Sequence, residues 1–287
     1  MLQQMAGTPD ARLKAIVESA IRHLHEFARE VNLTPAEWLK ALEFFTRVGK
    51  TCSETRQEFI LLSDAIGLST LVNTLHDATA VEDATSTSLL GPFFREDAPQ
   101  LPLGSPISKR DESQQILLWG AVRDAGGKGV PNAKLMVWQT SSAGSYDLQE
   151  GDGRTMDYRG TFRTDEQGNY HLRSVRPLGY SIPMDGPVGE LMRAQRRDGC
   201  RPAHIHFLIS APSFRELVTA LYFPDEYVET DVVFGASPEL VVHENAADPQ
   251  APAQGLPSVH FDFTLARAGA VDAAGGRVGA DPTKFGS

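Results

Sequence analysis

Two histidines stand on alternate residues of Arg201-Pro202-Ala203-His204-Ile205-His206-Phe207, inside a run that reads as a β-strand. Side chains at i and i+2 of a strand share one face. His204 and His206 therefore project together, with Ile205 and Phe207 on the opposite side. Two neutral imidazoles side by side form a chelating pair for zinc, copper, iron or nickel. The plain alternative is two polar residues on a half-exposed strand. Cys200 is a soft donor four residues before His204, but Pro202 between them argues against a shared strand face.

A centre built on two imidazoles needs further donors. Carboxylates are plentiful, yet none has a spacing that singles it out, whereas two of the six tyrosines stand in unusual contexts. Tyr146 follows the small-residue loop Ser141 to Ser145, and Tyr180 sits in a loop that Pro177 and Pro183 stiffen from both sides. By residue pattern alone, both rings read as loop-packing aromatics whose hydroxyls find a carbonyl.

The elements that must position these residues fall into two kinds. Apolar residues from Leu13 to Val31 recur at helical spacing, and Thr34-Pro35-Ala36-Glu37 is a capping box with proline at the first helical position. Ser53 to Ile66 and Leu68 to His76 read as two further helices separated by Gly67. His23 and His25 read as solvated helix residues. From Gln114 onward the period becomes two, and seven strands are expected: Ile116 to Val122, Lys134 to Thr140, Gly160 to Thr164, Tyr170 to Val175, His204 to Ser210, Leu217 to Phe223 and His260 to Leu265. Short strands with turn signals and no intervening helices predict an antiparallel β-sandwich or barrel. The expected organisation is a helical N-terminal region over 1–90 and a β-sandwich domain over 91–287, mainly β overall. The Gly/Ala-rich tail from Ala268 offers little to bury and reads as an arm or partly disordered.

Composition narrows the partners. A formal net charge of −10 without any Lys/Arg run opposes nucleic acid or anionic membrane as a partner. No apolar run is long enough to span a bilayer, the first residues carry no signal-like core, and Cys52 and Cys200 are the only cysteines, so a reducing cytoplasm is expected. Phosphate loops, Gly-x-Ser-x-Gly and paired zinc-finger cysteines are absent from the sequence.

Several strings together carry a resemblance: Gly91 to Pro99, Gly144-Ser145-Tyr146-Asp147, Arg159-Gly160 to Gly168-Asn169-Tyr170, Pro177 to Pro183, Asp185 to Gly189, and Arg201 to Phe207. Over roughly Arg56 to Phe234, the chain resembles the intradiol ring-cleaving dioxygenases, nearest the hydroxyquinol and catechol branch. The resemblance implies that Tyr146, Tyr180, His204 and His206 ligate one ferric iron, with water or hydroxide completing the site. Phenolates are hard anionic donors that suit iron(III). It further implies that a dihydroxybenzene chelates the metal through both oxygens, that Tyr180 is the ligand displaced, and that Arg201 stabilises charge developing on the ring. Gly91, Pro92, Phe93, Ile182, Pro183 and Val233 are implied to line the substrate pocket. Ala220 falls where catechol enzymes commonly carry glutamine. Met156 to Gly160 and Asp185 to Gly189 look more like hydroxyquinol enzymes, so hydroxyquinol giving maleylacetate is expected, with catechols giving muconates as the alternative. Asn73 is a candidate donor to the third hydroxyl.

Two other readings compete. One is a binding module that keeps the sandwich but has lost catalysis, and the other a zinc hydrolase built on His204 and His206. The first two helices carry more apolar surface than they can bury by themselves, which predicts a homodimer; the resemblance agrees and adds a lipid-like molecule at the interface.

Overall fold

A computed structural model of the chain describes residues 2–53, 55–77, 84–108, 114–151, 154–253 and 255–268. It divides into two compact units, Met1–Gly49 and Lys50–Ser287. The first unit is helical. Helix α1 (Ala11–Glu30) starts at Asp10, whose Oδ1 accepts from the N–H groups of Arg12 and Leu13 at 2.8 and 3.0 Å. Helix α2 (Pro35–Thr51) opens on the expected capping box: the Thr34 N–H donates to Glu37 Oε2 at 2.9 Å, and the Glu37 N–H donates back to Thr34 Oγ1 at 3.3 Å. Leu13, Ile16, Leu24 and Phe27 of α1 and Val31 just after it, with Trp38, Leu39, Leu42 and Phe45 of α2, all stay exposed.

The second unit begins with α3 (Glu58–Ala65) and α4 (Leu68–Asp77). The helix expected from Ser53 starts at Glu58, because the Ser53 N–H donates to the Arg56 carbonyl at 2.8 Å and closes a turn instead. Both helices belong to the same compact unit as the strands. One tie is the Glu58 carboxylate, fully buried, accepting from the Val188 N–H at 3.1 Å.

All seven expected strands are present. They are β1 (Gln115–Asp124), β2 (Lys134–Gln139), β3 (Arg159–Arg163), β4 (Asn169–Val175), β7 (His204–Ser210), β8 (Leu217–Tyr222) and a C-terminal segment split into β9 (Ser258–His260) and β10 (Phe263–Leu265). Two short strands were unforeseen, β5 (Tyr180–Ser181) and β6 (Cys200–Arg201), as was helix α5 (Pro187–Ala194) between them. The order β3-β2-β7-β8 forms one antiparallel sheet. The other sheet has β4 antiparallel to β1 on one side, while β9 and β10 run parallel to β1 on the other, so the sandwich is mixed at that edge. The last strand breaks at Asp262, whose carboxylate accepts from the Ala121 N–H at 2.8 Å and occupies a place in the ladder.

Strand alternation decides where the site can be. Ile205, Phe207 and Ile209 of β7 point into the sandwich against Leu118, Leu172 and Phe263 of the opposite sheet. His204, His206 and Leu208 therefore point out. That outer face is also buried, because Phe93, Phe94 and Tyr146 cover Met136, Trp138 and Leu208 with a second apolar cluster. Among the described residues no single helix is long and apolar enough to cross a membrane. The tail beyond Ala268 lies outside the described residues.

Candidate metal centre

Strand β7, the loop after β2 and the β5–β6 ribbon deliver the groups. On β7, His204 and His206 are 2% exposed and their Nε2 atoms face each other at 3.0 Å. His206 lies opposite Trp138 of β2, and the two rings stack at 4.8 Å and 5°. His204 Nδ1 sits 2.7 Å from the Pro202 carbonyl oxygen, which can only accept, so Nδ1 carries the proton and Nε2 a lone pair. Burial, reinforced by the Arg201 charge, pushes the His204 imidazole well below its ordinary pKa, and burial with the neighbouring His204 and Arg201 does the same to His206. Two neutral rings thus converge on one point.

Tyr146 arrives from the loop after β2. The Ser141 N–H donates to the Ser145 carbonyl and the Gly144 N–H to the Ser141 carbonyl, a tight turn that sends the chain back over the sheet. The Tyr146 hydroxyl ends 3.5 Å from His204 Nε2, and the residue is fully buried. Burial and the nearby Tyr180 raise its pKa well above 10, with Arg201 opposing. Tyr180 is carried by the two-residue ribbon β5–β6, in register with Arg201. Its ring lies 5.7 Å from the rings of both Tyr146 and His204.

Arg201 completes the cluster. Its Nη1 is 3.2 Å from His204 Nε2, while Nε and Nη2 donate to the two oxygens of Asp231 at 3.1 and 3.4 Å. Pro202 separates β6 from β7, which is why Cys200 belongs to the ribbon and not to the histidine strand. Two imidazoles whose Nε2 atoms face each other, with two phenols beside them, form a donor set that fits a hard, trivalent-type cation, which would bind both rings through Nε2 and stabilise the phenols as phenolates. Among the described residues no group of three or more His, Cys, Asp or Glu is placed to hold a metal, so a centre here depends on the tyrosines and not on a carboxylate.

Comparison with known proteins shows the family. The family model described as "Dioxygenase" matches residues 90–267, and the one described as "Catechol dioxygenase N terminus" matches 10–84. The chain belongs to the intradiol ring-cleavage dioxygenases. It is 39% identical over 276 residues to a hydroxyquinol 1,2-dioxygenase of Rhizobium sp., covering 93% of both chains. A 6-chlorohydroxyquinol 1,2-dioxygenase of Cupriavidus pinatubonensis is 38% identical over 266 residues, covering 92% of this chain and 94% of the relative. The crystal structure of hydroxyquinol 1,2-dioxygenase from Pseudomonas putida DLL-E4 superposes with a TM-score of 0.84 at 38% identity, covering 93% of this chain and 96% of that one.

In this intradiol dioxygenase the expected pocket residues do not all do the same thing. Gly91 has φ of +71°, and a Cβ there would stand 3.7 Å from His206 Cε1, so glycine lets the main chain approach the histidines. Phe93 lies flat on Tyr146 at 4.3 Å and 18°. Pro92, Phe93 and Pro183 line a cavity of about 360 Å³ whose remaining lining is largely polar, with Arg56, Glu58, Gln149 and Asp185. Ile182 and Val233 are buried beside these segments without lining that cavity. Asn73 does not face it either: its Nδ2 donates to the Ser88 carbonyl at 2.8 Å, which ties α4 to the segment before Gly91.

Ala220 lies opposite His206 on β8, fully buried against Tyr222 and Leu240. The hydroxyl near Arg201 belongs instead to Tyr222, 3.4 Å from Nη2 and 2.7 Å from Ser88 Oγ. Sequence reasoning missed Tyr222, Asp231 and Asp64. Tyr222 stands opposite His204 on an expected strand, so alternation could have found it, whereas Asp231 meets Arg201 across a loop that no period announces. Asp64, on α3, is 4% exposed and lies within electrostatic reach of Arg201 and Asp231.

Proposed function

We propose that this chain is an iron(III) intradiol dioxygenase that opens hydroxyquinol between its adjacent hydroxylated carbons to give maleylacetate, with catechols giving muconates as the second reading. The observation that carries it is the convergence of two neutral imidazoles and two phenols on one buried point beside a fixed guanidinium. Tyr146, Tyr180, His204 and His206 would hold the metal. Iron(III) there supplies the Lewis acidity that favours a deprotonated, chelated diol and draws electron density from its ring. The chain's own groups do the rest. Tyr180 accepts a substrate proton as it yields its place, Tyr146 stays, and Arg201 offers positive charge where the ring becomes anionic. Phe93, Pro92 and Pro183 offer a flat aromatic ring apolar contacts in a cavity otherwise lined largely by polar groups.

The relatives named above for hydroxyquinol and 6-chlorohydroxyquinol support the trihydroxy substrate. Purified iron-loaded protein is expected to be red from phenolate-to-iron charge transfer, to bind about one iron per chain, and to turn over hydroxyquinol faster than catechol. Colourless iron-loaded protein sinks the reading, and a red protein that cleaves neither substrate favours a binding module.

The proposal extends to assembly. The exposed apolar faces of α1 and α2 fit a homodimer in the cytoplasm, with a lipid-like molecule at the interface. Trp38→Lys with Leu42→Lys should then give a monomer by light scattering at micromolar concentration, and an unchanged mass would count against this interface.

A further inference from the structure

Beyond the ligand set itself, one buried charge has no place in the chemistry above. Arg159, the first residue of β3, is 1% exposed, and its partner Asp147 is 2% exposed. The guanidinium grips the carboxylate with two arms: Nε donates to Oδ2 at 2.6 Å and Nη2 donates to Oδ1. Its third arm turns elsewhere, Nη1 donating to the Phe93 carbonyl at 3.1 Å. These two targets are not independent. Asp147 is the residue after Tyr146, and the Phe93 ring is the one lying flat on the Tyr146 ring.

We propose that Arg159 is a positioning residue that fixes the Tyr146 phenol in the metal centre, holding the tyrosine's own chain through Asp147 and the ring packed on it through Phe93. The inference rests on Tyr146 being a metal ligand. A buried ion pair adds little net stability, because desolvation offsets most of the attraction. What an arginine fork adds is direction, since its donors are coplanar and fixed. Asp147 extends the grip by accepting from the N–H groups of Leu148 at 2.9 Å and Asp157 at 3.2 Å. The base of the clamp is stiff as well: Arg159 pairs in the ladder with Trp138, whose ring stacks on His206. One strand pair thereby references a phenol and an imidazole to each other.

Phenolate-to-iron absorption depends on the metal–oxygen distance and angle, so it reads Tyr146 placement separately from turnover. In iron-loaded protein, Arg159→Lys keeps a positive charge but has no fork. It is expected to retain iron, to shift and weaken the visible band, and to lower kcat about a hundredfold, the cost of misplacing a reacting group by roughly 1 Å. Asp147→Asn, which keeps shape but loses the charge, should move the band the same way by less. Leu172→Ala, deep in the distant sandwich core, controls for lost stability alone and should leave the band unmoved. A band unchanged in both Arg159→Lys and Asp147→Asn, or moved equally by Leu172→Ala, overturns the clamp. Should Arg159→Lys not fold, Asp147→Asn decides by itself. Tyr146→Phe separates the two failures: if its spectrum matches that of the unaltered protein, the ligand reading is wrong, whatever the clamp does.

Discussion

Tyr146 and Tyr180 bring the same functional group to the same point, yet the chain holds them in opposite ways. Tyr146 is fully buried, its N–H donates to Gln149 Oε1 at 2.9 Å, its ring lies on Phe93, and the next residue is locked in a buried ion pair. Tyr180 is half-buried and sits on a ribbon only two residues long. A short ribbon is a low-stability unit that opens without disturbing the core. The difference gives physical content to the idea that one phenolate stays while the other yields to substrate: rigidity is distributed unequally before any ligand arrives.

The largest expected effects test that asymmetry directly. Tyr146→Phe should lose most bound iron and all measurable turnover, as should His204→Ala or His206→Ala, because each removes a donor from the fixed part of the site. Tyr180→Phe should keep iron bound, shift the visible band, and lower kcat about a hundredfold through loss of a proton acceptor. Iron content by metal analysis together with the absorption spectrum checks both. Equal iron loss in the two tyrosine variants would break the comparison.

Next in size comes Arg201, which ties the ribbon side of the site to the histidine side. It shares the ribbon with Tyr180 and aims Nη1 at His204. Arg201→Lys should leave iron content and colour intact and lower kcat by about a hundredfold, as removal of one fixed electrostatic stabiliser does. Arg201→Ala should also lower stability by about 3 kcal/mol, because the buried Asp231 carboxylate loses its counter-charge and keeps only the N–H groups of Val233, Gly235 and Ala236; denaturant unfolding measures that. A colour change in Arg201→Lys would mean that the arginine positions Tyr180 and does more than stabilise charge.

The contrast also explains how much was legible beforehand. The strands that carry the sheets were readable because alternation is a period, and His204 and His206 could be placed on one face for the same reason. The loops that carry the phenols have no period, so only motif resemblance singled out Tyr146 and Tyr180. Helix α5 was hidden by the glycines and prolines around it. Even so, Gly186 with Pro187 at the first helical position is a helix start by composition. Arg159 and Asp147 both lay within quoted motifs, but their pairing joins a strand end to a loop and appears only when the chain is folded.

A smaller effect concerns pH. Burial pushes the Asp64 carboxyl from its ordinary 3.8 up to about 6, with Asp231 adding to the shift and Ser69 and Arg201 opposing it. The folded state therefore keeps a proton that the unfolded chain has already lost. Asp64 contributes stability below its unfolded value, and this is lost as pH rises through the folded value, about 3 kcal/mol in all. Denaturant midpoints for Asp64→Asn should lack that fall between roughly pH 4 and 6 that the unaltered protein shows. Parallel curves would place Asp64 outside the buried charge network around Arg201, leaving Asp231 as its counter-charge.

The smallest change acts where the two tyrosine regions touch. Gly144 lies in the Tyr146 loop with φ of +82°, and a Cβ there would stand 3.4 Å from the Tyr180 Cβ. Gly144→Ala combines a left-handed conformation unfavourable for alanine, about 1–2 kcal/mol, with a contact that presses only on the looser tyrosine. The clamped side has Arg159 and Phe93 to resist, so the strain should appear as displacement of Tyr180. The expected result is a melting temperature lowered by a few degrees, full iron content, and a higher KM for the diol with a small spectral shift. Iron loss instead would mean that the strain reaches Tyr146, and that the two phenols are held by one continuous loop system and not by a rigid and a yielding half.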